Sequence, residues 1–98
     1  MLSYDICKQK ESETILQTLF QDMNVELSIE PITGMDLYYS DGSVQECIGK
    51  LLCKDKKQNR YYTAYLNTNN TILEISKIPD DYKKIIQQWL DSLNNSIF

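Results

Sequence analysis

From Asn24 the hydrophobic period of this chain switches from that of a helix to that of a strand: Val25, Leu27 and Ile29 alternate with Glu26, Ser28 and Glu30. Such alternation puts apolar groups on one face and carboxylates on the other. The segment must therefore lie in a sheet that is buried on one side only, and Pro31 ends it. Upstream, Ile15, Leu16, Leu19, Phe20 and Met23 recur at helical spacing behind Ser12, a residue suited to an N-cap. This predicts a helix over 13–23. Lys8-Gln9-Lys10-Glu11 is polar all round, so periodicity does not decide whether the helix extends back through Ile6 and Tyr4. Residues 1–10 are expected to be flexible.

Beyond a bend at Ile32-Thr33-Gly34, Met35, Leu37 and Tyr39 alternate with Asp36, Tyr38 and Ser40, and Asp41-Gly42 suits a two-residue hairpin turn. The returning strand starts at Val44, but its apolar set moves to Cys47, Leu51 and Cys53 with Gly49 between them. That parity change calls for a bulge or sharp bend between Glu46 and Gly49. Residues 60–66 are rich in strand formers on both faces, and 71–78 should form one more strand after the polar turn at 67–70. Pro79 suits a first helical turn, with Asp80 and Asp81 at its positive end. Tyr82, Ile85, Ile86, Trp89, Leu90 and Leu93 then form the clearest amphipathic stripe in the chain. The expected fold class is α+β: an N-terminal helix, a strongly bent antiparallel sheet of about five strands, and a C-terminal amphipathic helix packed on it.

Ninety-eight residues bury one core, so 1–98 is read as a single domain. With 42% hydrophobic and 24% charged residues the composition is globular. No apolar run approaches the length of a bilayer span, and the N-terminus lacks a basic-then-apolar signal region, so neither membrane insertion nor that secretion route is expected. Cys7, Cys47 and Cys53 are odd in number and form no C-x-x-C pair. Cys47 and Cys53 share a strand, where six steps of about 3.3 Å hold them roughly 20 Å apart, beyond disulfide reach. Reduced thiols in an intracellular compartment, cytoplasm or nucleus, are the simplest reading.

The chain contains no histidine, and the cysteines therefore lack an imidazole partner. The acidic pair Asp80-Asp81 sits where a helix N-terminus favours negative charge. Gly34, Gly42 and Gly49 make no phosphate-cradling loop. Catalysis, cofactor binding, a metal site and a small-molecule substrate are accordingly not expected.

Recognition is the better-supported class. Seven tyrosines include Tyr38, Tyr61, Tyr62 and Tyr65 on strands, and alternation must send some of them outward. Exposed tyrosine supplies amphipathic contact area at protein interfaces. Trp89 on the last helix joins them as a protein-contact candidate. Lys50, Lys54, Lys56, Lys57 and Arg60 concentrate half of the ten basic residues in one stretch of a chain whose net charge is −4. A solvated hairpin loop explains that cluster, and phosphate contact is its functional alternative.

One segment adds to this reading. In Asp41-Gly42 … Gly49-x-Leu51-x-x-x-Asp55-x-x-x-Asn59 the spacing resembles the first motif of Sm/LSm proteins. The resemblance covers residues 12–66 and implies a small bent barrel. It implies a uridine pocket lined by Asp55 and Asn59, with Lys57 where the family has a stacking side chain. Two extra residues separate Gly42 from Gly49, and the apolar-Arg-Gly second motif is absent from 71–78.

Three functions follow as expectations. The first is a non-enzymatic subunit of a larger assembly that binds another protein, or a second copy, by a strand edge, the tyrosine-bearing sheet face or the last helix. The second is an RNA- or DNA-contacting module using Lys54, Asp55, Lys56, Lys57, Asn59 and Arg60. The third is a phage-type or immunity-type stoichiometric inhibitor, an acidic domain that occludes a basic surface.

Overall fold

Alternation that begins at Val25 carries on past Pro31, so one long strand replaces the expected pair. A computed structural model describes residues 2–94, with the element order α1 (Tyr4–Lys8), α2 (Lys10–Leu19), β1 (Val25–Tyr38), β2 (Val44–Asp55), β3 (Arg60–Leu66), β4 (Ile72–Glu74) and α3 (Asp80–Asn94). The α+β class stands. The strands form one antiparallel meander in the order β1-β2-β3-β4, open at both edges rather than closed into a barrel.

The irregularity expected in the returning strand lies in its partner. Pro31 faces Gly49 and Met35 faces Cys47, so β1 spends two residues more than β2 over that interval. Gly34, at φ +72, takes the left-handed conformation within the extra length. The hairpin tip also differs by a residue. Tyr39 donates its N–H to the Ser43 carbonyl, and Gly42 (φ +90) donates to the Tyr39 carbonyl, leaving a three-residue loop Ser40-Asp41-Gly42. The last strand is shorter than 71–78, pairing over Ile72–Glu74 only.

Ser12 does not cap a helix: it lies inside α2 and is buried. The side-chain cap belongs to Ser3, whose Oγ accepts the Ile6 N–H at 3.2 Å and starts α1. Part of the stretch expected to be flexible is therefore structural, with Leu2 1% exposed and Cys7 buried in the core.

All three helices cover the same side of the sheet. Cys7 from α1, Leu16 and Phe20 at α2, and Ile86, Trp89 and Leu90 from α3 join Val25, Leu27, Ile29, Leu51, Cys53, Ala64 and Leu66 in one core. The α3 stripe buries as its spacing predicts, with Ile85 and Leu93 half-buried at its margins. Tyr82 ties the layers together, its ring edge-on to Phe20 at 5.5 Å and to Tyr62 at 5.4 Å. At Gly49 the approach is tightest: a Cβ there would lie 2.7 Å from the Cys7 Sγ.

Candidate functional site

Helices on one side leave the opposite sheet face open toward the β2–β3 turn, whereas near β4 Leu73, opposite Tyr65, is buried where the β1–β2 arm approaches, and register fixes what the open part displays. Glu26 faces Lys54, which faces Tyr61; Ser28 faces Leu52, which faces Thr63; Glu30 faces Lys50, which faces Tyr65. Tyr61 is 60% exposed, and the Lys54 Nζ lies 5.6 Å from its ring centroid, within cation–π range. Tyr65 is half-buried. Beyond the bulge, the β1–β2 arm raises Tyr38, 77% exposed, directly opposite the exposed Val44.

Two of the expected contact residues are used elsewhere. Trp89 is 1% exposed, enclosed in the core with the rest of the α3 stripe. Tyr62 points to the helical side, half-buried against Tyr82. The structure thus assembles Tyr61 and Tyr65 on the open face and Tyr38 on the arm, while Tyr62 and Trp89 hold the layers together.

The basic residues gather at the opposite end of β2 from the arm. Lys56, Lys57 and Asn59 are exposed in the β2–β3 turn, with Asn59 at φ +55, and the exposed Arg60 follows as the first residue of β3. Asp55 organises that turn: its Oδ1 accepts the N–H groups of Lys57 and Gln58 at 3.0 and 3.1 Å. Asp22, Asp55, Lys57 and Asp81 line one shallow recess, so carboxylates stand among the cations.

The strand edges are unequal. Along β1, Gln17 from α2 donates its Nε2 to the Val25 carbonyl at 2.8 Å, and its Oε1 accepts the Leu27 N–H at 3.1 Å. Glu13 Oε2 accepts the Ile29 N–H at 3.4 Å. Pro31, next in the same parity, has no N–H to offer. Helix side chains therefore occupy the backbone groups that an added strand would use. At the other edge, β4 borders a groove of about 480 Å³ lined by Ile72, Glu74, Lys83, Lys84 and Gln87. No sequence pattern pointed to the sealed β1 edge, because Gln17 and Glu13 reach it through tertiary packing.

Burial pushes the Cys7 thiol up to about 11 and the Cys53 thiol up to about 12. Cys47 is raised by burial and then by the carboxylates of Asp36 and Glu46. All three cysteines are free and buried. Among the described residues no group of three His, Cys, Asp or Glu side chains could hold a metal ion, and no helix is long and apolar enough to cross a membrane. No family model, curated protein or solved structure matches the chain.

Proposed function

We propose that this domain is a non-enzymatic protein-binding subunit that meets its partner through the tyrosine-bearing side of the sheet. One observation carries the reading: the helices all cover one sheet face, and large aromatic side chains, Tyr61 and Tyr38, stand in water on the open face and its arm. With the α3 stripe engaged in the core and the Val25–Ile29 stretch of the β1 edge occupied by Gln17 and Glu13, contact by the last helix or by strand addition along that stretch is disfavoured. The thiols, pushed up by burial, are poor nucleophiles near neutral pH, in keeping with a binding rather than a chemical role. Three reduced cysteines fit an intracellular setting.

The test is co-purification from native extract with light scattering, comparing the wild type with the double variant Tyr38→Ser and Tyr61→Ser. The reading expects a stoichiometric complex that the double variant fails to form. A monodisperse wild-type monomer that carries no partner would reject it.

A second reading rests on Lys54 over the Tyr61 ring, an arrangement suited to a stacked base beside a phosphate. Glu26 opposite Lys54 and Glu30 opposite Lys50 work against it by repelling the backbone. Titration with a U-rich oligonucleotide at low salt decides the point, and no binding at micromolar protein ends this alternative.

A further inference from the structure

The distal β1–β2 arm has two unlike sides. Toward the body, Met35, Leu37 and Gln45 are half-buried and Cys47 is buried, with Gln45 Oε1 accepting from Asn67 Nδ2 at 3.1 Å. Away from it, Asp36, Tyr38, Val44 and Glu46 are all exposed. On that outer side Tyr38 stands opposite Val44, and Asp36 stands opposite Glu46. The ion pairs among the described residues join Lys83 to Glu74 and to Asp80, so neither arm carboxylate meets a cation. Like charges directly opposite each other destabilise a strand pair, and an aromatic paired with a β-branched residue in water leaves its apolar area unburied.

Charge bookkeeping points the same way. Residues 31–49 hold three of the 14 acidic residues and none of the ten basic ones, which places −3 of the net −4 on the arm and leaves −1 for the rest of the chain. The β2–β3 turn is no counterpart for it, because Asp22, Asp55 and Asp81 line the recess that Lys57 borders. The chain's own basic cluster is partly neutralised, whereas the arm is not.

We infer that the outer side of the arm docks on a cationic surface of another protein, with Tyr38 filling an apolar recess and Asp36 and Glu46 meeting lysine or arginine side chains around it. Both unfavourable features of the free arm then become favourable on binding: the carboxylates gain counter-charges, and the Tyr38–Val44 pair leaves water. This inference rests on the protein-binding reading above and names the partner's chemistry.

The test uses a displayed random-peptide library selected on the full chain, followed by titration of the enriched peptide into isotope-labelled protein. Enriched peptides should combine Lys or Arg with a bulky apolar residue, and amide shifts should centre on residues 36–46. Tyr38→Ala and the pair Asp36→Asn/Glu46→Gln should each weaken binding at least tenfold, and Gln88→Ala, on the exposed side of α3, should leave it within twofold. All four positions are exposed, and matching thermal melts verify that the variants are folded. Neutral or acidic enriched peptides, or shifts confined to Lys54 and Tyr61, would overturn the inference while keeping a protein-binding domain. Light scattering that shows a dimer lost in the carboxylate variant would overturn it in favour of a second copy. Absence of any enriched peptide, together with a lone monomer in native extract, would remove both readings.

Discussion

Gln17 replaces a neighbouring strand at Leu27: its side-chain Oε1 accepts the Leu27 N–H at 3.1 Å while its Nε2 donates to the Val25 carbonyl at 2.8 Å. A single primary amide thus satisfies both kinds of backbone group on an edge strand. Gln17→Ala should lower stability by about 1–3 kcal/mol, two hydrogen bonds at roughly 0.5–1.5 kcal/mol each. It should also promote self-association as the protein is concentrated, since the freed edge can pair with another chain. Urea melts and concentration-dependent light scattering measure both. An unchanged midpoint with no association would show that the edge does not depend on this side chain.

At the contact of α1 with β2, space rather than backbone conformation excludes a side chain at Gly49. Its missing Cβ would sit 2.7 Å from the Cys7 Sγ. Gly49→Ala should destabilise the fold by about 1–3 kcal/mol through overpacking. Removing the sulfur makes room, so the Cys7→Ala/Gly49→Ala double variant should be more stable than the two single effects summed predict, by about 1 kcal/mol. Strict additivity in a double-mutant cycle would refute the contact.

Stability should decline on the alkaline side. In the unfolded chain the thiols of Cys7 and Cys53 return to 9.0 and the Tyr82 phenol to 10.0, while burial holds them in the fold at about 11, about 12 and about 12. Above pH 9 the unfolded state thus releases protons that the folded state keeps. Folded-state pKa values are raised, so their stabilising effect is full below pH 9 and is lost as pH climbs toward 12. Urea midpoints should be flat between pH 7 and 8.5 and fall beyond. The same burial predicts that a thiol reagent at pH 8 labels the native protein far more slowly than the denatured one. Rapid native labelling of all three cysteines would contradict it.

Neutralising Asp36 or Glu46 should raise stability. Asp36→Asn relieves a directly opposed like-charge pair and should add about 0.2–1 kcal/mol. The gain should shrink in high salt, where a Debye length of about 3 Å screens the pair. Thermal melts at low and high ionic strength give both numbers, and destabilisation by Asp36→Asn would mean the carboxylate has a favourable partner.

The parts of this fold that were legible in the sequence are those set by local periodicity. The α3 stripe from Tyr82 to Leu93 and the alternation of Val25, Leu27 and Ile29 each bury as their spacing dictates. Departures arise where a tertiary neighbour decides. Ser12 has the chemistry of a cap, yet Ser3 performs that role because Leu2 and Cys7 bring the chain onto the sheet several residues earlier. The parity change seen in β2 is absorbed by β1, since Gly34 is placed to take a positive φ. Among the contact candidates, exposure could not be assigned to Tyr61 over Tyr62 without knowing which face the helices cover, and Trp89 is the largest apolar side chain on the helix that covers it.

Asn70 gives the two ends of the described chain a common fate. In the β3–β4 turn, at φ +57, its Oδ1 accepts the Leu2 N–H at 2.6 Å and its Nδ2 donates to the Leu90 carbonyl at 3.3 Å. Chain ends usually fray first, one at a time. Neither the Leu2 segment nor the turn of α3 at Leu90 can lift without breaking a buried bond to the same side chain, so local opening at Leu2 and at Leu90 should be coupled and approach the free energy of global unfolding. Native-state hydrogen exchange would show it as a Leu2 amide protected like a core strand, an interlock that makes the second residue of the chain as slow to exchange as its centre.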